Sequence, residues 1–300
     1  MKNFCFAVGL LLISSFAVFA HGDDRHFPNR QDVTVRTQKI TENVYLLQGR
    51  GGNIAALTGM EGILIVDDEY KVVSEKLREA LKTLGSASPR FILNTHWHGD
   101  HTEGNQVFGK ESIIVAHINV RKRLIQPPVI FGRPTAPYPS FALPIVTYTQ
   151  TMSLHINREE IRLLHYPNGH TDGDTIVHFV NAKVYHLGDD FFRNRFPFVD
   201  IDSGGSVQGL INNIGQLIGE IPADAKVIPG HGPLSTLDDL KQYRQAIVET
   251  GNIVQAAMKE NKSLDEIKKR GLPAKYAEWG SGFIKTDAWI ETIYRSYSRK

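Results

Sequence analysis

Residues 94–105 read NTHWHGDHTEGN, and they place His96, His98, Asp100 and His101 within six positions of a chain that has only 12 histidines. The segment follows the apolar run RFILN, which has the composition of a buried strand. In an extended stretch alternate side chains point the same way, so His96 and His98 can address one metal ion. Gly99 then lets the backbone turn, and Asp100 and His101 are presented to a neighbouring point. A lone histidine is usually structural. Three of them with an acid, at the end of a buried strand, are not explained by core packing, and imidazole with carboxylate is a donor set that binds metal.

Three later segments repeat the context of a strand followed by a glycine loop. LLHYPNGHTDGD offers His170, KVYHLGDDFF offers Asp189 and KVIPGHGP offers His231. Each is weak alone, but loops at strand ends meet at one edge of a sheet. Together they supply enough ligands for two ions. His117, His155, His165 and His178 sit in or beside apparent strands and read as core or surface groups. His186, three residues before Asp189, is a candidate for orienting a ligand from behind.

These segments need a scaffold, and the pattern supplies one. NVYLLQG, NIAALTG, GILIVDD, PRFILNT, SIIVAH, EEIRLLHY, TIVHFV, KVYHLGD and AKVIPG read as strands. KVVSEKLREALKTLG, VQGLINNIGQLIGE and the segment from Leu237 to Asn261 carry apolar residues at helical spacing. Interleaved strands and helices predict an α/β architecture with helices covering sheets. Residues 127–144 hold six of the 14 prolines, which excludes a regular helix or central strand there and predicts a long surface loop or flap. Ser263 and Glu266 form a capping box that opens small C-terminal helices. With no repeat and no low-complexity linker, residues 33–300 are expected to form one domain.

The first 20 residues, MKNFCFAVGLLLISSFAVFA, have the layout of a secretory signal peptide cut after Ala20; an uncleaved anchor is the alternative. Residues 21–32 read as a polar arm. The only cysteine, Cys5, lies within that leader, so the mature chain is expected to be periplasmic or secreted, with no disulfide and no thiolate ligand. A net charge of +2 from 34 basic and 32 acidic side chains gives no sign of a nucleic-acid binder, and after leader removal no membrane contact is expected. Oligomeric state stays open.

The chain resembles the metallo-β-lactamase superfamily. The H-x-H-x-D-H signature is complete from His96 to His101, and Gly169-His170, Gly188-Asp189 and Gly230-His231 follow in the family's order, with Asp67 at the end of LIVDD matching an acid that supports the site. The resemblance runs from about residue 33 to about residue 231. It implies an αββα sandwich of two mixed sheets flanked by helices. It also implies one zinc on His96, His98 and His170, a second on Asp100, His101 and His231, and Asp189 bridging the two. A hydroxide between the ions would attack a carbonyl, with Asp100 helping to protonate the leaving group. The related di-iron flavoproteins carry Glu where this chain has His98, which favours the hydrolytic zinc branch, although donor softness also admits manganese or iron.

Substrate is less determined. FFRNRFPFVD after Gly188-Asp189-Asp190 offers aromatic surface with Arg193 and Arg195 between the rings, suited to a small acyl substrate with a carboxylate; equally, the rings could cover the sheet and the arginines face water. β-Lactams fit the first description. The drug-resistance members, however, carry Cys or Ser where this chain has Asp189, whereas glyoxalase II-like thioesterases and N-acyl-homoserine lactonases carry Asp. The expectation is therefore an exported binuclear zinc hydrolase, β-lactamase-like, with a lactonase or other ester or thioester hydrolase as the alternative, and a non-catalytic periplasmic zinc-binding protein as the third.

Overall fold

A computed structural model describes residues 34–129 and 134–298; the proposed leader and polar arm lie outside them. The first half of the chain builds a seven-stranded sheet in sequence order: β1 (Arg36–Lys39), β2 (Val44–Gln48), β3 (Ile54–Leu57), β4 (Leu64–Val66), β5 (Phe91–Asn94), β6 (Ile113–His117) and β7 (Val146–Tyr148). Strands β1 to β4 are antiparallel neighbours, and β4 to β7 run parallel. The second half builds a five-stranded sheet from β8 (Thr151–Ile156), β9 (Glu159–His165), β10 (Thr175–Phe179), β11 (Val184–His186) and β12 (Lys226–Ile228), ordered β12-β11-β10-β9-β8. Only its β11–β12 pair is parallel. Two mixed sheets packed face to face with helices outside are the αββα sandwich anticipated from sequence.

Period-two alternation sorts the strand side chains between layers. In β3, Ala55 and Leu57 join the core between the sheets with Leu64, Val66, Leu93, Leu163, Val177, Phe179 and Ile228. Ile54 and Ala56 face the other way, onto Leu77 and Leu81 of α1 (Ser74–Thr83). The outer face of the second sheet is covered by α5 (Val207–Glu220), α6 (Leu237–Lys259) and the C-terminal α8 (Thr286–Ser298). In α5 Val207, Leu210, Ile211, Ile214 and Leu217 form the buried stripe, at i, i+3, i+4 spacing. Each such side chain is worth about 1.5–3 kcal/mol when fully buried, so a charge at Ile214 would undo this layer. Among the described residues no helix is long and apolar enough to cross a membrane.

The described parts of the proline-rich segment, 127–129 and 134–144, hold no α-helix or strand, as expected, but they are not free on the surface throughout. Tyr138, Ala142 and Leu143 are buried with Trp97, Val120 and Leu124, the last two from α4 (Ile118–Ile125). The Tyr138 hydroxyl lies 3.0 Å from Thr102 Oγ1, in the short helix α2 (Gly99–Thr102). The second half of the loop therefore braces the histidine segment from outside. α3 (Asn105–Phe108) follows α2, and α7 (Leu264–Arg270) begins with the Ser263–Glu266 capping box.

A candidate two-metal centre at the seam of the sheets

Side chains from both sheets converge where parallel strands end. His96 and His98 follow β5, Asp100 and His101 lie in α2, His170 sits in the β9–β10 loop, Asp189 follows β11 and His231 follows β12. The structure brings all seven expected ligands together in two groups: His96, His98, His170 and Asp189, and beside them Asp100, His101 and His231. Asp189 stands between the groups and turns one oxygen to each. Its Oδ2 is 3.8 Å from His96 Nε2 and 3.5 Å from His170 Nε2, while Oδ1 is 3.1 Å from His101 Nε2 and 3.5 Å from His231 Nε2. Asp100 Oδ2 completes the second group, 3.2 Å from His231 Nε2 and 3.7 Å from His101 Nε2.

Close approach explains two of the glycines. A Cβ on Gly52 would stand 2.2 Å from the His101 ring, and Gly188, at φ +49°, would press one against Thr95 at 2.9 Å. A side chain at either position would push a ligand loop out of place.

Four of the five imidazoles, those of His96, His98, His101 and His170, are held from the far side, which fixes the nitrogen each presents. His101 Nδ1 donates to Asp67 Oδ2 at 2.7 Å. Asp67 also accepts from Thr95 N (2.7 Å) and from the Thr95 hydroxyl (2.8 Å), and that hydroxyl lies 3.0 Å from His96 Nδ1. His170 Nδ1 donates to the carbonyl of Phe198 at 2.7 Å. His98 is reversed: its Nε2 meets Asp200 Oδ2 at 3.0 Å, and its Nδ1 faces His170 Nε2 at 2.8 Å. Asp67 occupies this post with a left-handed backbone, φ 64°, a conformation Asp tolerates better than most residues.

The charge balance suits cations. Burial pushes His96 well below its ordinary value and His170 down to about 4, so both present neutral lone pairs. Burial alone would also lower His101, yet Asp189, Asp100 and Asp67 outweigh it and hold the ring well above its ordinary range. His231 behaves alike, burial being outweighed by Asp189 and Asp100, and is raised to about 9. Asp100 is drawn down to about 2 and Asp189 well below its usual value, burial being overcome in both chiefly by His101 and His231. Protons on His101 and His231 thus stand in for positive charge that the carboxylates demand. His96 Nε2 is buried with no hydrogen-bond partner among the described residues, a lone pair aimed at the first group. Nitrogen and oxygen donors in two adjoining clusters sharing one carboxylate fit two zinc-like ions.

The remaining sequence candidates fall differently. His186 is buried, and both its ring nitrogens go to backbone groups rather than to a ligand side chain: the Asn53 carbonyl (2.9 Å) and the Gly188 amide (3.2 Å). Arg193 is not free for a substrate: its guanidinium pairs with Asp239 at 2.7 Å, near the start of α6. Arg195 is half-buried and has no ion pair among the described residues. Phe192 stacks on His231 at 5.1 Å, and Phe198 packs against His98 at 5.4 Å, so these two rings wall the centre. Phe196 instead joins the core against Trp289. Sequence reasoning did not single out Asp200, Thr95 or Asn53.

Compared with known families, residues 41–248 match the metallo-beta-lactamase superfamily, and the chain belongs to that superfamily. Among solved structures it is similar to the metallo-beta-lactamase from Pontibacter korlensis (TM-score 0.58, 16% identity, 71% of this chain and 99% of that one). It is also similar to the DIM-1 metallo-beta-lactamase (0.60, 16%, 73% and 99%). The stereoselective inverting sec-alkylsulfatase Pisa1 from Pseudomonas sp. aligns at a TM-score of 0.69 with 12% identity, over 88% of this chain but 50% of its own. At these identities the likeness speaks for the fold. No curated protein matches the chain.

Proposed function

We propose that this member of the superfamily is an exported binuclear zinc hydrolase that opens an acyl bond in a small substrate, a β-lactam-type amide or a related lactone, ester or thioester. The observation that carries the reading is the placement of Asp189, with one carboxylate oxygen toward each ligand group. A chain that only stored a metal ion would have no use for two adjoining groups joined through a buried acid.

Zinc ions held by the two groups would supply Lewis acidity, making a water nucleophilic near neutral pH and drawing charge from the acyl oxygen. The residues of the chain do the rest. Asp67, Thr95, Asp200 and the Phe198 carbonyl keep the imidazoles in the tautomers that present lone pairs inward. Asp189 is buried and fixes the spacing of the two groups. Asp100, with a side chain 21% exposed, is the ligand-set carboxylate at the mouth, placed to pass a proton to the leaving atom. Phe192 and Phe198 offer an apolar wall, and Arg195 a guanidinium for a substrate carboxylate. The leader-like layout of residues 1–20 supports the assignment to the periplasm or exterior.

The test is metal analysis and turnover on the purified full-length product, against a panel of β-lactams, lactones, thioesters, phosphodiesters and sulfate esters. Two zinc ions per chain and acyl-bond cleavage are expected, with His98→Ala losing one ion and nearly all turnover. One ion in both proteins would refute the binuclear reading.

A further inference from the structure

Asn53 is 3% exposed, and each of its polar groups is engaged, all but the side-chain oxygen across the seam between the two sheets. Its amide N donates to the Gly230 carbonyl at 2.7 Å. Its side-chain nitrogen donates to the carbonyls of Pro229 and Gly232, both at 2.8 Å. Its side-chain oxygen accepts from Gln48 Nε2 at 2.9 Å, and its carbonyl accepts from His186 Nε2 at 2.9 Å. That last bond leaves His186 Nδ1 to accept from the Gly188 amide. Both side-chain donors of this buried Asn are thereby used, and its side-chain oxygen accepts one bond.

The partners are not scattered. Gly230 and Gly232 flank His231, and Gly188 precedes Asp189. The neighbouring Gly52 donates its amide to the Asp100 carbonyl at 3.0 Å. None of these bonds goes to His96, His98 or His170. We propose that Asn53 is a positioning residue for the second ligand group, setting His231 directly through its loop and Asp189 through His186. The proposal rests on the two-ion reading above and goes beyond it in assigning control of one site to a residue that touches no metal. It also gives His186 a role: the ring transmits the position of the first sheet to the backbone before Asp189.

Removing the side chain leaves the Pro229 carbonyl without its donor, and the His231 loop is then held by fewer bonds. Losing such an outer partner typically lowers metal affinity about 10- to 100-fold. The experiment loads full-length wild type, Asn53→Ala and Gln48→Ala with zinc, dialyses each against graded chelator and counts the ions retained, with the melting temperature and turnover measured alongside. Wild type should keep two ions. Asn53→Ala should release one of them at about 10- to 100-fold less chelator and hold the other as wild type does, and added zinc should restore its kcat. A purely structural residue would instead lower the melting temperature of the metal-free protein, with no rescue by zinc. Retention of both ions at the wild-type midpoint, or parallel loss of both, overturns the proposal. If Asn53→Ala fails to fold, Gln48→Ala decides: it removes the donor to the Asn53 side-chain oxygen and the second donor to the Gly232 carbonyl, at 2.9 Å each, so it must release the same single ion early, and an unchanged profile overturns the proposal. Wild type binding a single ion would fail at the earlier step and remove the two-ion reading itself.

Discussion

Replacing Asp67 with Asn tests how strictly the outer hydrogen bonds set the metal centre. The backbone should not object, because Asn tolerates the left-handed conformation that Asp67 adopts at φ 64°. The side chain will. Asp67 accepts three hydrogen bonds at 2.7–2.8 Å, from Thr95 N, the Thr95 hydroxyl and His101 Nδ1, and an amide has one acceptor oxygen. With that oxygen kept on Thr95 N, the NH2 group faces His101 Nδ1. That nitrogen must then become the acceptor, and the ring proton moves to Nε2, the atom 3.1 Å from Asp189 Oδ1. His101 would present a proton where an ion needs a lone pair. Loss of such support costs about 10- to 100-fold in affinity, or about 1.4–2.7 kcal/mol. Because the Thr95 hydroxyl also meets His96, the first ion should weaken too, by less. Zinc titration against a competing chelator measures both steps. A second-ion affinity equal to wild type would refute the tautomer argument.

Arg195→Ala should raise KM for carboxylate-bearing substrates and spare neutral lactones, whereas Arg193→Ala should cost stability through its lost pair with Asp239 and affect both substrates alike; kinetics on nitrocefin and a neutral lactone, with a melting curve for each variant, separate the two. Burial pushes Asp190 up to about 7, so the folded metal-free protein holds a proton that the unfolded chain gives up at lower pH. The contribution of Asp190 to stability should therefore fall as pH rises from about 4 through about 7 and level off above. Asp190→Asn, which keeps an oxygen for the His170 amide that Asp190 now accepts at 3.1 Å, should flatten that fall; urea unfolding of the metal-free protein from about pH 5 to about pH 8 reads it, and an unchanged slope would refute it.

The ligands were legible because they carry local signals: histidines at alternate positions, or a glycine loop behind an apolar strand. Their supports were not. Asp200 is one acid among 32 acidic residues and meets His98 only because the chain folds back across the site. Asn53 looks like a turn residue until the second sheet arrives. Arg193 and Arg195 are indistinguishable in sequence, and only the position of Asp239 separates them. The strand pattern showed nine of the twelve strands among the described residues. β1 was missed because all four of its residues are exposed, so no apolar alternation marks it; β7 has three residues, and β8 buries only Ile156 fully. The helix α8 went unread although Trp289, Ile290 and Ile293 bury one side of it.

Each sheet comes from one continuous half of the chain, and the ligands are shared between the halves. His96, His98, Asp100 and His101 belong to the earlier half; His170, Asp189 and His231 belong to the later one. A growing chain therefore cannot complete the second ligand group until residue 231 has been made and the two halves have met. For a protein that crosses a membrane unfolded, the centre would be assembled only on the far side. The metal supply of that compartment, rather than of the one where the chain is synthesised, would then decide which ion the site receives.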